Sequence, residues 1–333
     1  MSPRALVALA LVLATGAATA ATRPSEPRVD PGATPAVPTA VSRARPAVVG
    51  IRARIPSDRP SAGTLGTERW GSGVVIEPEG LVLTVGYVVL EAVGLDVVLG
   101  DGRTVAARVV GHDFESGLGV IRLDGPGPYP TARLGRSGPV AAGQPVSIVG
   151  VSEDQRPVAV AARVTAVRPF VAYWEYMLER ALLVAPLHPA FGGAALVDPD
   201  GALIGVVSLR VPEGHIAIPI DLLSPVREAL LAQGRPARPS RPWLGVRAVG
   251  IEGGVGIAGV SPVGPAHAAG LRPGDVILRL NGDRVADVED FYRKLWGTAV
   301  GSAIELGVFR EGRVEPVTVR SRDRYTIFQF RAP

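Results

Sequence analysis

The side chains that could attack a carbonyl here are hydroxyls, imidazoles and carboxylates, and their spacing limits what they can do. The 333-residue chain has no cysteine, which removes thiolate nucleophiles, disulfides and thiolate metal sites together. It has four scattered histidines; none precedes His112, and no Ser, Thr or Cys lies between Glu179 and Val207. Acyl transfer by a hydroxyl needs an imidazole to take the proton and a carboxylate to orient that imidazole. The stretch His112-Asp113 has no partners at metal-ligand spacing, so neither a metal nor a cofactor is expected. His188, Ser116 and Ser72 could enter a cleft, but they read more simply as a loop hydrogen bond, a turn residue and a tightly packed strand approach.

The elements that must position these groups are short strands joined by tight turns. Gly73–Ile76 and Leu81–Thr84 flank Glu77-Pro78-Glu79-Gly80, and Ala194–Val197 and Leu203–Val207 flank Asp198-Pro199-Asp200-Gly201. Asp101-Gly102 between Val97–Leu99 and Val105–Val110 predicts a hairpin with a type I′ turn. A helix is expected only late, capped by Ser224, started by Pro225, carrying Val226, Ala229 and Leu230 on one stripe and ended by Gly234. Many apolar strands at regular spacing predict a mostly β chain with a barrel or sandwich. About 190 residues accommodate two small barrels.

Apolar residues make up 47% and charged residues 20%, which excludes wholesale disorder. The net charge is only +4, with Lys294 the single lysine and arginine interspersed with acids, so no nucleic-acid partner is expected. Residues 1–20 read as a signal peptide: Arg4, an apolar stretch Ala5–Ala14, and Ala18-Thr19-Ala20 as the cleavage site. That stretch is too short for a membrane span, so export to the periplasm or the exterior is expected, with no stable membrane span after cleavage. Residues 21–43, rich in Pro and Ala, predict a flexible arm, and 234–241 a Pro-rich linker. Folded regions are then expected at 44–233 and 242–322, with a tail at 323–333.

Trp70-Gly71-Ser72-Gly73-Val74-Val75-Ile76, Gly80–Thr84 and Val88-Val89 resemble the first barrel of the HtrA-type (Do-like) trypsin-fold serine proteases. Val110–Asp113 with Leu118–Asp124, Gly192–Val197 with Gly201–Val206, and Ala217–Ile220 resemble that family's later blocks, in order. The resemblance implies a chymotrypsin/trypsin-like double β-barrel and covers about residues 44–320. It places the catalytic His at Tyr87, the Asp at Gly117, with Asp113 and Glu115 close by, and the Ser at Gly192. The family's oxyanion-hole glycine falls at Ala190. None of the three triad positions carries its group, and losing a nucleophile or base typically costs about 10⁶ in kcat. The expectation from these positions is a protein that is not an enzyme, a pseudoprotease without catalytic residues. The alternative is a serine-type endopeptidase degrading misfolded exported proteins.

Trp243-Leu244-Gly245-Val246, Gly256–Val260, Gly264-Pro265-Ala266, Ala269–Ile277 and Asn281-Gly282 resemble a bacterial PDZ domain, a small β-barrel with helices. Asp287 is positioned to cap a helix Val288–Trp296 ended by Gly297, and Glu305–Phe309 with Val317–Val319 predict a closing hairpin around Glu311-Gly312. The resemblance implies β-augmentation by a peptide C-terminus whose carboxylate rests on the loop Trp243, Leu244, Gly245 and Val246. Phe291 and Leu295, four apart, either line the peptide pocket or fill the core; for Tyr292 and Trp296 the sequence does not choose between groove and surface. The aromatic run Tyr173–Arg180 departs from the family pattern and reads as a covered core edge or a partner surface. The expected partners are peptides or unfolded protein C-termini, in an adaptor, chaperone or regulatory role in envelope protein quality control. The family resemblance adds a homo-oligomer, a trimer.

Overall fold

A computed structural model describes residues 39–328, so the expected signal peptide and most of the arm lie outside the described residues. The first barrel is built from β1 (Val48–Arg54), β2 (Glu68–Glu77), β3 (Leu81–Val85), β4 (Gly94–Val98), β5 (Thr104–His112) and β6 (Leu118–Leu123). Helical turns α2 (Ala62–Leu65) and α3 (Gly86–Val89) interrupt it, after α1 (Thr39–Ala44). The strands close in the order β1-β2-β3-β6-β5-β4, all antiparallel. β7 (Pro145–Val151), β8 (Pro157–Ala172), β9 (Tyr176–Ala185), β10 (Ala195–Val197), β11 (Leu203–Val211) and β12 (Gly214–Pro219) close the second barrel as β10-β11-β12-β9-β8-β7. Closure leaves no sheet edge unpaired, and the fill is branched and aliphatic: Ile51, Leu83 and Ile121 in the first barrel, Ile148, Leu182 and Leu196 in the second. The fold class is mostly β, as the strand pattern predicts.

Helix α4 (Arg227–Gln233) follows, ended by Gly234 in the left-handed region at φ 79°. It starts later than predicted, because Ile220–Leu222 forms a 3₁₀ turn and Val226, not Ser224, takes the N-cap. The third unit comprises β13 (Pro242–Trp243), β14 (Val246–Ile251), β15 (Gly254–Val260), α5 (Pro265–Ala268), β16 (Val276–Leu280), β17 (Asp283–Arg284), α6 (Val288–Trp296), β18 (Ala303–Arg310), β19 (Arg313–Arg320) and β20 (Arg322–Asp323). Its main sheet runs β14-β15-β16-β18-β19, leaving β14 an edge strand. Asp287 caps α6 by accepting from the Asp290 amide at 2.9 Å.

Three boundaries differ from expectation. The arm ends before residue 43: α1 buries Ala40, Val41 and Ala44, and Arg43 donates to the Asp200 carbonyl. The linker is pinned, with Arg238 on Asp113 and Glu115 and Arg241 on Glu115. The tail is structural as far as it is described: Tyr325 donates to the His112 carbonyl at 3.1 Å, and Arg324 to the Trp174 carbonyl at 3.1 Å. The Asp101-Gly102 turn is also not type I′. Only Gly102 has positive φ, and the Asp101 carboxylate instead accepts from the Arg103 amide, so five residues separate the paired strands.

Candidate functional site

The chain leaves β3 and turns at once into α3, which aims Tyr87 at the second barrel. The Tyr87 hydroxyl donates to the Ser208 carbonyl of β11 at 2.7 Å. A Cβ placed on Gly192 would sit 2.8 Å from that hydroxyl, so Tyr87 and Gly192 meet where the barrels join. Burial pushes the Tyr87 phenol well above its usual range, which keeps it neutral and fixes it as a donor. Gly117, at φ 81°, accepts the Gly86 amide at 2.8 Å, and a Cβ there would lie 3.0 Å from the Tyr176 hydroxyl. Gly192 accepts the Ser72 amide at 2.7 Å. Tyr87 and Gly192 therefore tie the barrels together while Gly117 braces the first, and the three supply no hydroxyl–imidazole–carboxylate set.

The other polar candidates are fixed elsewhere. His188 donates its amide to His215 Nε2 at 2.8 Å, and its Nδ1 accepts from the Ala190 amide at 3.1 Å. Its Nε2 then carries the proton toward the Val158 carbonyl at 3.2 Å. Burial lowers its pKa, so a neutral imidazole holds the loop before Gly192 and engages the Ala190 amide. Ser72 Oγ accepts from Val151 and Ser116 Oγ from Leu118, at 2.9 and 3.2 Å. His112 fills the space a side chain at Gly86 would need, and burial lowers its pKa to about 3. Asp113 takes two bonds from Arg238, at 2.8 and 2.9 Å. Among the described residues, no three His, Cys, Asp or Glu side chains form a group able to hold a metal ion.

The loop between β13 and β14 is the strongest binding feature. The amides of Leu244, Gly245 and Val246 converge, and all three donate to one carboxylate, that of Glu175, at 2.8, 2.8 and 3.2 Å. Gly245 sits at φ 83°, and a Cβ there would lie 3.0 Å from Gly264 Cα, so the loop requires glycine. Trp243 is buried beside it, its ring edge-on to Phe328 at 5.7 Å. Phe291 and Leu295 are both fully buried and pack within the module's core. Tyr292 is buried with them, but its hydroxyl reaches out, donating to the Ala172 carbonyl at 2.9 Å and accepting from the Glu175 amide at 2.8 Å.

The contacts of Glu175, Tyr292 and Arg324 are not visible in the sequence, although Tyr292 and the run around Glu175 stand out there. Burial pushes the Glu175 carboxyl up, while the nearby Arg324 guanidinium and the three amides pull it down. The only signal was the unusual aromatic run around Glu175, which marks the turn but not what its carboxylate meets.

Residues 71–206 match the family described as a trypsin-like peptidase domain, and residues 242–320 match the PDZ domain family. The chain is 28% identical over 283 residues to "Serine protease Do-like HtrA" of Lactobacillus helveticus, covering 75% of this chain and 68% of the relative. It is 30% identical over 291 residues to "Probable periplasmic serine endoprotease DegP-like" of Pseudomonas savastanoi pv. phaseolicola, covering 80% and 60%. Among solved structures, "HtrA-type protease AlgW with decapeptide" superposes with a TM-score of 0.54 at 27% identity, covering 86% of this chain and 98% of that one. The chain spans between 52% and 68% of the length of the curated relatives it matches. These findings overturn the expectation of a protein that is not an enzyme. That expectation rested on three positions, whereas relatives matching three quarters of the chain are named serine proteases and endoproteases.

Proposed function

We propose that this chain, which is similar to HtrA/DegP-type trypsin-like serine proteases and matches the PDZ domain family at its C-terminal end, handles exported polypeptides by holding their C-terminal ends in the loop Trp243–Val246. The observation that carries this is the convergence of three backbone amides on a single carboxylate, the geometry a chain end requires. An extended peptide would add to β14, an edge strand of its sheet. The periplasm is the compartment in this reading, because the DegP-like relatives carry that word in their names and the first twenty residues read as a signal peptide. Among the described residues, no helix is long and apolar enough to cross a membrane.

Endoproteolysis is the second reading, favoured by the names of relatives that match both domains. Its nucleophile has to be found by labelling, since Tyr87, Gly117 and Gly192 do not provide one. The test is incubation of the full chain with unfolded casein and a serine-directed fluorophosphonate, followed by mapping of any labelled residue. Casein cleavage together with a stoichiometrically labelled serine establishes endoproteolysis and names the residue. Casein retained on the protein without fragments leaves binding as the function, and neither retention nor cleavage refutes both readings.

A further inference from the structure

The carboxylate loop already holds a carboxylate of its own chain. Glu175 lies in the turn between β8 and β9 of the second barrel, 69 residues before Leu244 in sequence. The turn meets the module at both β14 and α6. The Tyr173 carbonyl accepts the Ala248 amide of β14 at 2.7 Å, a backbone bond of the type an added strand makes. Tyr292 of α6 takes the Glu175 amide and returns a bond to the Ala172 carbonyl. Val171 packs on the module's core. Glu175 itself is 4% exposed and sits at φ 55°, a left-handed conformation disfavoured for any residue with a Cβ. Glycine would make this turn without that penalty, yet only a residue with a carboxylate can satisfy the three amides.

We propose that Glu175 is a built-in ligand of the carboxylate loop, competing directly with the C-terminal carboxylate of an incoming polypeptide. The inference rests on the chain-end reading above and adds its regulation. An arriving carboxylate replaces the Glu175 carboxylate on the same three amides, and its backbone replaces Tyr173 on β14. Binding therefore displaces the β8–β9 turn and loosens the PDZ module from the second barrel. The affinity of the resting protein equals its intrinsic affinity multiplied by the fraction of time the loop is free.

The test uses the full chain as wild type, Glu175→Gly and Glu175→Gln. Glycine suits the left-handed turn and removes the carboxylate; glutamine keeps the shape and removes the charge. The probe is a synthetic decapeptide with an acylated N-terminus and a free C-terminal valine, titrated by calorimetry. Hydrogen exchange at Leu244, Gly245 and Val246 is followed without peptide. The expected result is binding at least about tenfold tighter in Glu175→Gly, an intermediate gain in Glu175→Gln, and about tenfold faster exchange of the three amides. Equal affinity in wild type and Glu175→Gly, or unchanged exchange, overturns the proposal. Faster exchange without peptide binding to either protein overturns the chain-end reading, and competition with it, while confirming the Glu175 contact.

Discussion

Removing one oxygen from Tyr292 should cost far more than a single hydroxyl usually does. The Tyr292 hydroxyl bonds two backbone groups of another domain, the Ala172 carbonyl and the Glu175 amide. Tyr292→Phe removes the partner of a buried donor and a buried acceptor, each worth about 1–3 kcal/mol, so a loss of roughly 2–6 kcal/mol is expected. Urea unfolding followed by tryptophan fluorescence and far-UV circular dichroism measures it, with coincident curves as the condition for reading one free energy. Tyr173→Phe is the control, because the Tyr173 side chain is 53% exposed and its loss should fall within about 0.5 kcal/mol. If Tyr292→Phe is as mild as Tyr173→Phe, the hydroxyl does not couple the second barrel to the PDZ module.

Gly193→Ala should cost more than about 3 kcal/mol, read as a fall in thermal midpoint or loss of soluble protein, because φ is 86° and a Cβ would meet the Ser72 carbonyl and lie 2.6 Å from Thr84 Oγ1. Asp287→Ala should lower the urea midpoint by the equivalent of about 1 kcal/mol through loss of the α6 cap. His112 is held neutral, its pKa lowered from 6.5 to about 3. Its contribution is therefore complete above pH 6.5 and is lost as pH falls from there to about 3. At about 1.4 kcal/mol per pH unit it reaches roughly 4–5 kcal/mol at most, and a titration of stability with pH should be flatter in that window for His112→Gln.

The barrels were legible because their information is local: short continuous apolar runs such as β3 and the first six residues of β11 mark strands buried on both faces, and Gly80 and Gly201 take the positive φ their turns need. The PDZ module was legible for the same reason, down to the Asp287 cap and the turn at Glu311 and Gly312, both with positive φ. What escaped the sequence is contact at long range. Tyr87 and Ser208 are 121 residues apart, and Glu175 and Gly245 are 70 apart. Nothing in either stretch says which carboxylate the loop amides will meet. Local preference also misled at Asp101, whose side chain satisfies the Arg103 amide and so permits a longer turn than its dipeptide suggests. Phe291 and Leu295 share a helix face as their spacing requires, but that face is the core, and Tyr292 beside them is what reaches the neighbouring domain.

The most direct test of chain-end recognition is calorimetry on the full chain carrying Glu175→Gly, which presents the loop without its internal occupant. The decapeptide with a free C-terminal valine is compared with the same peptide amidated. The free acid should bind more tightly by about 1.5–3 kcal/mol, roughly 10- to 150-fold, because its charge is held by the amides of Leu244, Gly245 and Val246. Equal affinity for acid and amide, or no binding of either, would contradict the assignment of this loop as the carboxylate site.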